Sequence, residues 1–308
     1  MRIVFIALQL VFIIDRMHVR IIANPISGGG RGPEVAAALA SALEARGVTS
    51  EVRITTRAGD AHAWAKEPGA DCVVSVGGDG TLNEVANALA GARVPIATLP
   101  LGTANVVARE LRTPTDPVAL AEFIANNNTR SIDTGHAGDR LFLLGAGAGL
   151  DAAIVEVVHA TRGKRLSFLS YVWPAVKTIL GYEYPRITVE VDGEIVCEDA
   201  HYVIVGNCSW SAGIFRATPK ASLDDGLLDV CILRKLSIAK ILWLIFLAQL
   251  PGFADRRAVT YRHGLEVRLS STTNARVPLQ IDGDPAGELP ATFTVKRRAL
   301  TVIAPPTD

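Results

Sequence analysis

One stretch, residues 73–83 (VVSVGGDGTLN), constrains the fold of this 308-residue chain more than any other. A β-branched run, Val73, Val74 and Val76, stops at Gly77-Gly78-Asp79-Gly80-Thr81, and an amphipathic run over 82–90 begins at once. That order spells strand, glycine turn and helix. Three glycines in four positions let the backbone turn tightly and approach a ligand closely. The N–H groups of the turn and of the helix start then point into one space, where an anion is held. Asp79 stands among the glycines, where no packing reason calls for a carboxylate. A carboxylate beside a phosphate site points to a metal ion or to a proton to be moved. The plain alternative is a βα turn in which Asp79 caps the helix.

The surrounding chain supplies the context such a turn needs. Between residues 19 and 130 strands at 19–23, 51–55, 72–76 and 96–99 alternate with helices at 35–45, 60–66, 106–111 and 117–125. Pro33 suits a first helical turn. This alternation predicts βαβ units and a mainly parallel sheet, which binds ligands at the carboxyl ends of its strands. The loops 24–30, 77–81 and 100–105 all fall at such ends, so they are expected to converge on one ligand. From Arg130 the runs are mostly short strands, at 131–133, 141–144, 187–191, 202–205, 228–233, 265–269, 279–281, 293–295 and 300–303. Asp192-Gly193, Asp225-Gly226 and Asp282-Gly283 mark turns among them. A mostly antiparallel second domain follows, a sandwich or flattened barrel, interrupted by helices near 151–161, 166–180 and 238–250. The fold class is α/β, with an N-terminal α/β nucleotide-binding domain over 17–129 and a β-sandwich domain over 130–308.

Composition narrows the function. Lys plus Arg and Asp plus Glu both number 31, so no overall basic field invites nucleic acid. Cys72, Cys197, Cys208 and Cys231 lie far apart without metal-ligand spacing and read as reduced core residues of a cytoplasmic protein. His62, His136, His159, His201 and His263 share no ligand spacing and receive no role. Residues 1–16 carry one early charge and then a short apolar run, too short to span a bilayer comfortably. They read as an extension outside the fold, with a membrane-touching anchor as the other reading. The stretch 236–253 is more apolar than one buried helix face requires; either it is buried, or Trp243 and Phe246 dip into a membrane surface and admit a lipid.

The combination of Asn24-Pro25 with Ser27-Gly28-Gly29-Gly30, then Gly77-Gly78-Asp79-Gly80-Thr81-Leu82-Asn83-Glu84-Val85, then Pro100-Leu101-Gly102-Thr103-Ala104-Asn105, resembles the diacylglycerol kinase catalytic-domain family. More narrowly, it is similar to the soluble bacterial lipid kinases related to diacylglycerol and sphingosine kinases. The likeness continues through Gly145-Ala146-Gly147-Ala148-Gly149-Leu150-Asp151, Asp224-Asp225-Gly226-Leu227-Leu228-Asp229 and Asp282-Gly283-Asp284-Pro285, and covers the chain from about residue 18. NAD kinases and phosphofructokinases also carry GGDG-type loops, so the ordered set across two domains makes the match.

The resemblance implies phosphorylation of a lipid hydroxyl by ATP and Mg²⁺, in a cleft between the two domains. Gly77, Gly78, Asp79, Gly80, Thr81, Leu82 and Asn83 would wrap the triphosphate, with hydroxyl donors from Thr81 and Thr103. Thr55 would touch the nucleotide, with adjacent Thr56 left open, and Asn24 would hold the first loop or simply form an Asn-Pro turn. Asp79 would hold catalytic Mg²⁺ or orient the reacting groups. No Walker lysine is present, which leaves most of the electrostatics to metal and backbone. The Asp225 carboxylate, with the carbonyls of Ser222 and Leu227, would hold a structural Mg²⁺; the alternative is an ordinary Asp-Gly turn. Asp284 stands where the bacterial relatives have a glutamate taken as general base. It is one methylene shorter, and Asp79 is the other candidate. Competing readings are an NAD kinase-like enzyme acting on a soluble acceptor and a catalytically weak lipid-binding protein. Diacylglycerol, phosphatidylglycerol and sphingoid-type acceptors stay open, as do peripheral membrane contact and a homodimer.

Overall fold

The computed structural model describes residues 17–161, 176–209, 216–234, 259–271 and 275–306. The helices read at 166–180 and 238–250, the apolar stretch 236–253 and the extension 1–16 lie wholly or largely outside them. Among the described residues no helix is long and apolar enough to cross a membrane.

The first domain runs β1 (His18–Ala23), a 3₁₀ turn (Ser27–Gly29), α1 (Gly32–Glu44), β2 (Thr49–Ile54), α2 (Asp60–Ala65), β3 (Cys72–Gly77), α3 (Asp79–Ala88), β4 (Ile96–Pro100), α4 (Val106–Glu110) and α5 (Pro117–Ala125). The strands lie parallel in the order β4-β3-β1-β2. β3 is buried at every residue, as a strand covered on both faces must be. Leu39, Leu43, Leu120 and Ile124 of α1 and α5 fill one face. Leu82, Val85, Val106 and Val107 of α3 and α4 fill the other. Pro33 and Pro117 sit in first helical turns, and the Asp116 carboxylate accepts from Val118 N and Ala119 N, both at 3.0 Å, to start α5.

The second domain comprises β5 (Thr129–Ala137), β6 (Arg140–Phe142), β7 (Gly145–Gly149), α6 (Leu150–Thr161), β8 (Ile187–Val191), β9 (Glu194–Gly206), β10 (Leu228–Arg234), β11 (Val259–Gly264), β12 (Glu266–Ser271), β13 (Pro278–Ile281), β14 (Asp284–Glu288) and β15 (Ala291–Ile303). Its pairings are all antiparallel, in the order β14-β13-β7-β9-β8-β12-β15, with β10 and β11 branching from β9. Phe142 and Phe293 meet edge to face at 6.2 Å in its core. Asp192-Gly193 and Asp282-Gly283 make the β8–β9 and β13–β14 turns with positive φ at both positions.

Two differences from the sequence reading have physical causes. Gly145-Ala146-Gly147-Ala148-Gly149, read as a motif, is the strand β7, although glycine is a poor strand former. Neighbours occupy the space its side chains would need: a Cβ on Gly147 would lie 2.0 Å from the Asp151 carboxylate, and one on Gly145 2.7 Å from Val205 O. The runs at 293–295 and 300–303 are two halves of β15, joined across a register shift at Lys296–Leu300 where Arg298 takes φ +50°. The first half pairs with β12; the second returns to the first domain and pairs parallel with β4 at Val302–Ile96.

Candidate active site

The glycine turn after β3 does what its composition suggests. Gly78 is extended at the start of α3, and its backbone packs on Gly102 of the loop after β4: a Cβ on Gly102 would lie 2.6 Å from Gly78 Cα. The clash makes glycine necessary at 102, while a Cβ on Gly78 would make a tight contact of 3.2 Å with Gly102 Cα. Asn105, left-handed at φ +47°, clamps Gly102 twice, its Oδ1 accepting from Gly102 N at 2.8 Å and its Nδ2 donating to Gly102 O at 2.7 Å. The loop after β1 joins them. Asn24 N donates to Val76 O, and Asn24 Nδ2 donates to the buried Thr81 hydroxyl at 3.4 Å. Asn24 also forms a turn of its own, accepting from Ile26 N at 3.1 Å. Three strand-end loops thus meet at the N-terminus of α3, whose first amides have no partner within the helix. Gly80 and Thr103 are exposed at this surface, while Leu82 is buried in the core beneath it.

Asp79, the first residue of α3, is partly buried, and its Oδ1 accepts from Val107 N at 3.4 Å. Burial pushes its carboxyl above the usual range, while the N–H groups of Val107, Val106 and Asn105 oppose the shift. Asp79 therefore caps a helix after all, but the neighbouring α4, so one carboxylate at the glycine turn ties α3 to α4. The loop after β2 is organised by Asp60. Its carboxylate accepts from the backbone and hydroxyl of Thr56, each at 2.8 Å, and from Arg57 N at 3.0 Å. These bonds hold its pKa down to about 2. The Thr56 hydroxyl is thereby committed to Asp60, and the Thr55 hydroxyl donates to Ala23 O at 3.4 Å.

The second domain meets this surface through the β13–β14 turn. Asp282 accepts from Asn83 Nδ2 at 2.5 Å, from Leu143 N and Leu144 N at 2.9 Å, and from Gly145 N at 3.0 Å. Asp284, two residues on, is half exposed, with Arg140 Nη2 and His159 Nε2 each 3.9 Å from its carboxylate. His159 received no role from the sequence, which did not point to Arg140 either, because β6 and α6 lie far from Asp284 along the chain. Asp282 was visible there as half of an Asp-Gly turn and as part of the family motif, with no sign of its four donors.

The acidic loop before β10 is tied to β5 and β15. Asp133 accepts from Gly226 N at 2.6 Å and from Arg298 N at 2.7 Å, and Arg130 Nη2 donates to Asp224 at 2.8 Å. Asp225 accepts from Leu227 N at 3.0 Å. Burial raises its pKa, and the nearby Asp133 and Asp224 charges raise it further. A cation relieves such a field, and oxygen donors suit a hard one. No group of three or more His, Cys, Asp or Glu side chains among the described residues is placed to hold a metal.

Residues 18–137 match the diacylglycerol kinase catalytic domain, and residues 145–304 match the YegS C-terminal NAD kinase beta sandwich-like domain. A protein named diacylglycerol kinase from Staphylococcus carnosus is 30% identical, the match covering 94% of this chain and 96% of that one. The Bacillus subtilis protein of the same name is 28% identical over 93% of this chain and 96% of its own. A crystal structure of a diacylglycerol kinase from Bacillus anthracis superposes with a TM-score of 0.75 at 24% identity, covering 94% of this chain and 98% of that one.

Proposed function

This chain belongs to the diacylglycerol kinase catalytic-domain family, and on that footing we propose that it transfers the γ-phosphate of ATP to a lipid hydroxyl. The observation that carries the reading is the apposition of Gly78 and Gly102 at the N-terminus of α3, with the Asp284 turn bonded to the same helix. Phosphoryl transfer asks for positioning and charge neutralisation. Backbone N–H groups of the 77–81 turn hold the phosphates, and exposed Gly80 leaves them room. Asp79 would hold Mg²⁺ at the phosphates, which would supply the remaining neutralisation, and the Asp225 loop would hold a separate structural ion. Asp284 accepts the proton of the lipid hydroxyl.

The test supplies γ-labelled ATP and Mg²⁺ to the pure protein. Vesicles containing diacylglycerol, phosphatidylglycerol or a sphingoid base are offered as acceptors, alongside dissolved NAD. Label is expected in the lipid phase. Asp284→Ala should lower that turnover by about a hundredfold, and Asp284→Glu should retain it. Label in NAD alone would replace the reading with the soluble-acceptor kinase, and no label anywhere would leave a lipid-binding protein.

A further inference from the structure

Two asparagines one turn apart on α3 reach out of the first domain. Asn87 Oδ1 accepts from Leu141 N at 3.1 Å, and its Nδ2 donates to Asn83 Oδ1 at 3.0 Å. That second bond fixes the Asn83 amide so that its own N–H group faces Asp282, 2.5 Å away. On the far side of the turn, Gly283 N donates to Gln280 Oε1 at 2.8 Å, and Gln280 Nε2 donates to Asp151 at 2.8 Å. A two-residue hairpin turn needs only positive φ at its two central residues, for which Asn-Gly serves as well as Asp-Gly. What asparagine cannot do is accept at both side-chain atoms. The four donors from α3 and from residues 143–145 therefore demand more of Asp282 than chain reversal does.

We propose that Asn83 and Asp282 form a clasp between the domains that sets the separation of the phosphate loop and Asp284, which makes both of them positioning residues for transfer. The proposal rests on the kinase reading above. Asn83 lies one helical turn from Asp79, and Asp282 lies two residues from Asp284. The two sides of the reaction are thus joined through this bonded contact, with the bond between Asn87 and Leu141 beside it. It also gives Asn83 a task besides nucleotide binding, because one of its two N–H groups is committed to Asp282. A displacement of the base by about 1 Å is enough to cost up to roughly a hundredfold in rate.

The experiment compares Asn83→Ala, Asn83→Asp, Asp282→Asn and the exchanged pair Asn83→Asp/Asp282→Asn with the wild type. The assay uses Mg-ATP and diacylglycerol vesicles, and amide hydrogen exchange is followed in parallel. Each single variant should lose about ten- to a hundredfold in kcat with KM for ATP little changed, because a positioning defect acts on the reaction and spares ground-state binding. Asn83→Asp should be the most affected, since it sets two carboxylates in contact. The exchanged pair restores a donor facing an acceptor at this contact, though Leu143 N loses its acceptor, and should regain part of what Asn83→Asp loses. The amides of Leu144 and Gly145 should exchange faster in the single variants and slow again in the pair, while those of β1 and β3 stay unchanged. A raised KM for ATP with kcat intact in Asn83→Ala, or losses that simply add in the pair, would overturn the clasp. If the wild type phosphorylates no lipid, the kinase reading falls first, and the exchange pattern alone decides the clasp: equal protection in all variants removes it.

Discussion

Asp151 shows how one side chain can set a protein's response to pH. Burial raises its carboxyl to about 6, although Gln280 and Tyr202 donate to it. Its unfolded value is near 3.9, so the native chain holds an extra proton between about pH 4 and pH 6. The stability this lends is therefore complete below about pH 4 and is lost as pH rises through about 6. The cost at neutral pH is on the order of 2–3 kcal/mol. Asp151→Asn keeps an acceptor for Gln280 without the charge. Its melting temperature at pH 7.5 should exceed that of the wild type by several degrees, and the difference should close towards pH 4. A wild-type curve parallel to that of the variant from pH 4 to pH 7.5 would refute this. Such residues were not legible in the sequence. Asp151, Asp60 and Asp282 sit in short polar turns or helix starts that local rules already explain, and only distant donors, often backbone N–H groups, reveal their other work. Asp79 stood out in the sequence as a carboxylate among glycines, with helix capping as its plain alternative, but its bond to α4 could not be seen there.

At the scale of elements, the paired glycine loops give a sharp contrast. Gly102→Ala places a Cβ against Gly78 Cα and Asn105 Oδ1, neither of which can yield cheaply. It should cost about 1–3 kcal/mol of stability and reduce turnover with Mg-ATP. A Cβ on Gly80 meets nothing within 4 Å, so Gly80→Ala should melt like the wild type, and any loss of turnover reports the ligand alone. Wild-type activity in Gly102→Ala would show that the two loops need not touch. The Asp225 loop yields to calorimetry: an ion bound only by the native state stabilises it by mass action. Added Mg²⁺ should raise the melting temperature of the wild type and leave that of Asp225→Ala where it is; equal shifts would make this loop an ordinary turn. Helices and parallel strands of the first domain were readable because their hydrophobic periods are long and regular. β7 was not, because its glycines follow from what packs beside them.

The whole molecule depends on its last strand. Leu300, Val302, Ile303 and Ala304 are buried in the two cores of the first domain, though they follow the entire second one. Each large side chain among them contributes roughly 1.5–3 kcal/mol on burial, against a total stability of about 5–15 kcal/mol. A fragment of residues 17–137 should accordingly lack a cooperative melting transition by circular dichroism, and a sharp transition like that of the full chain would refute the dependence. Val302 at β4 also dictates an order of events in the cell. The ribosome delivers the first domain early, but the strand that covers the β4 edge emerges only after the second domain, at about 5–20 residues per second. For roughly ten seconds or more the nascent chain carries an open parallel edge and the apolar face beside it. Whatever guards it in that interval, a holding chaperone or the growing second domain, governs how much of the protein survives its own translation.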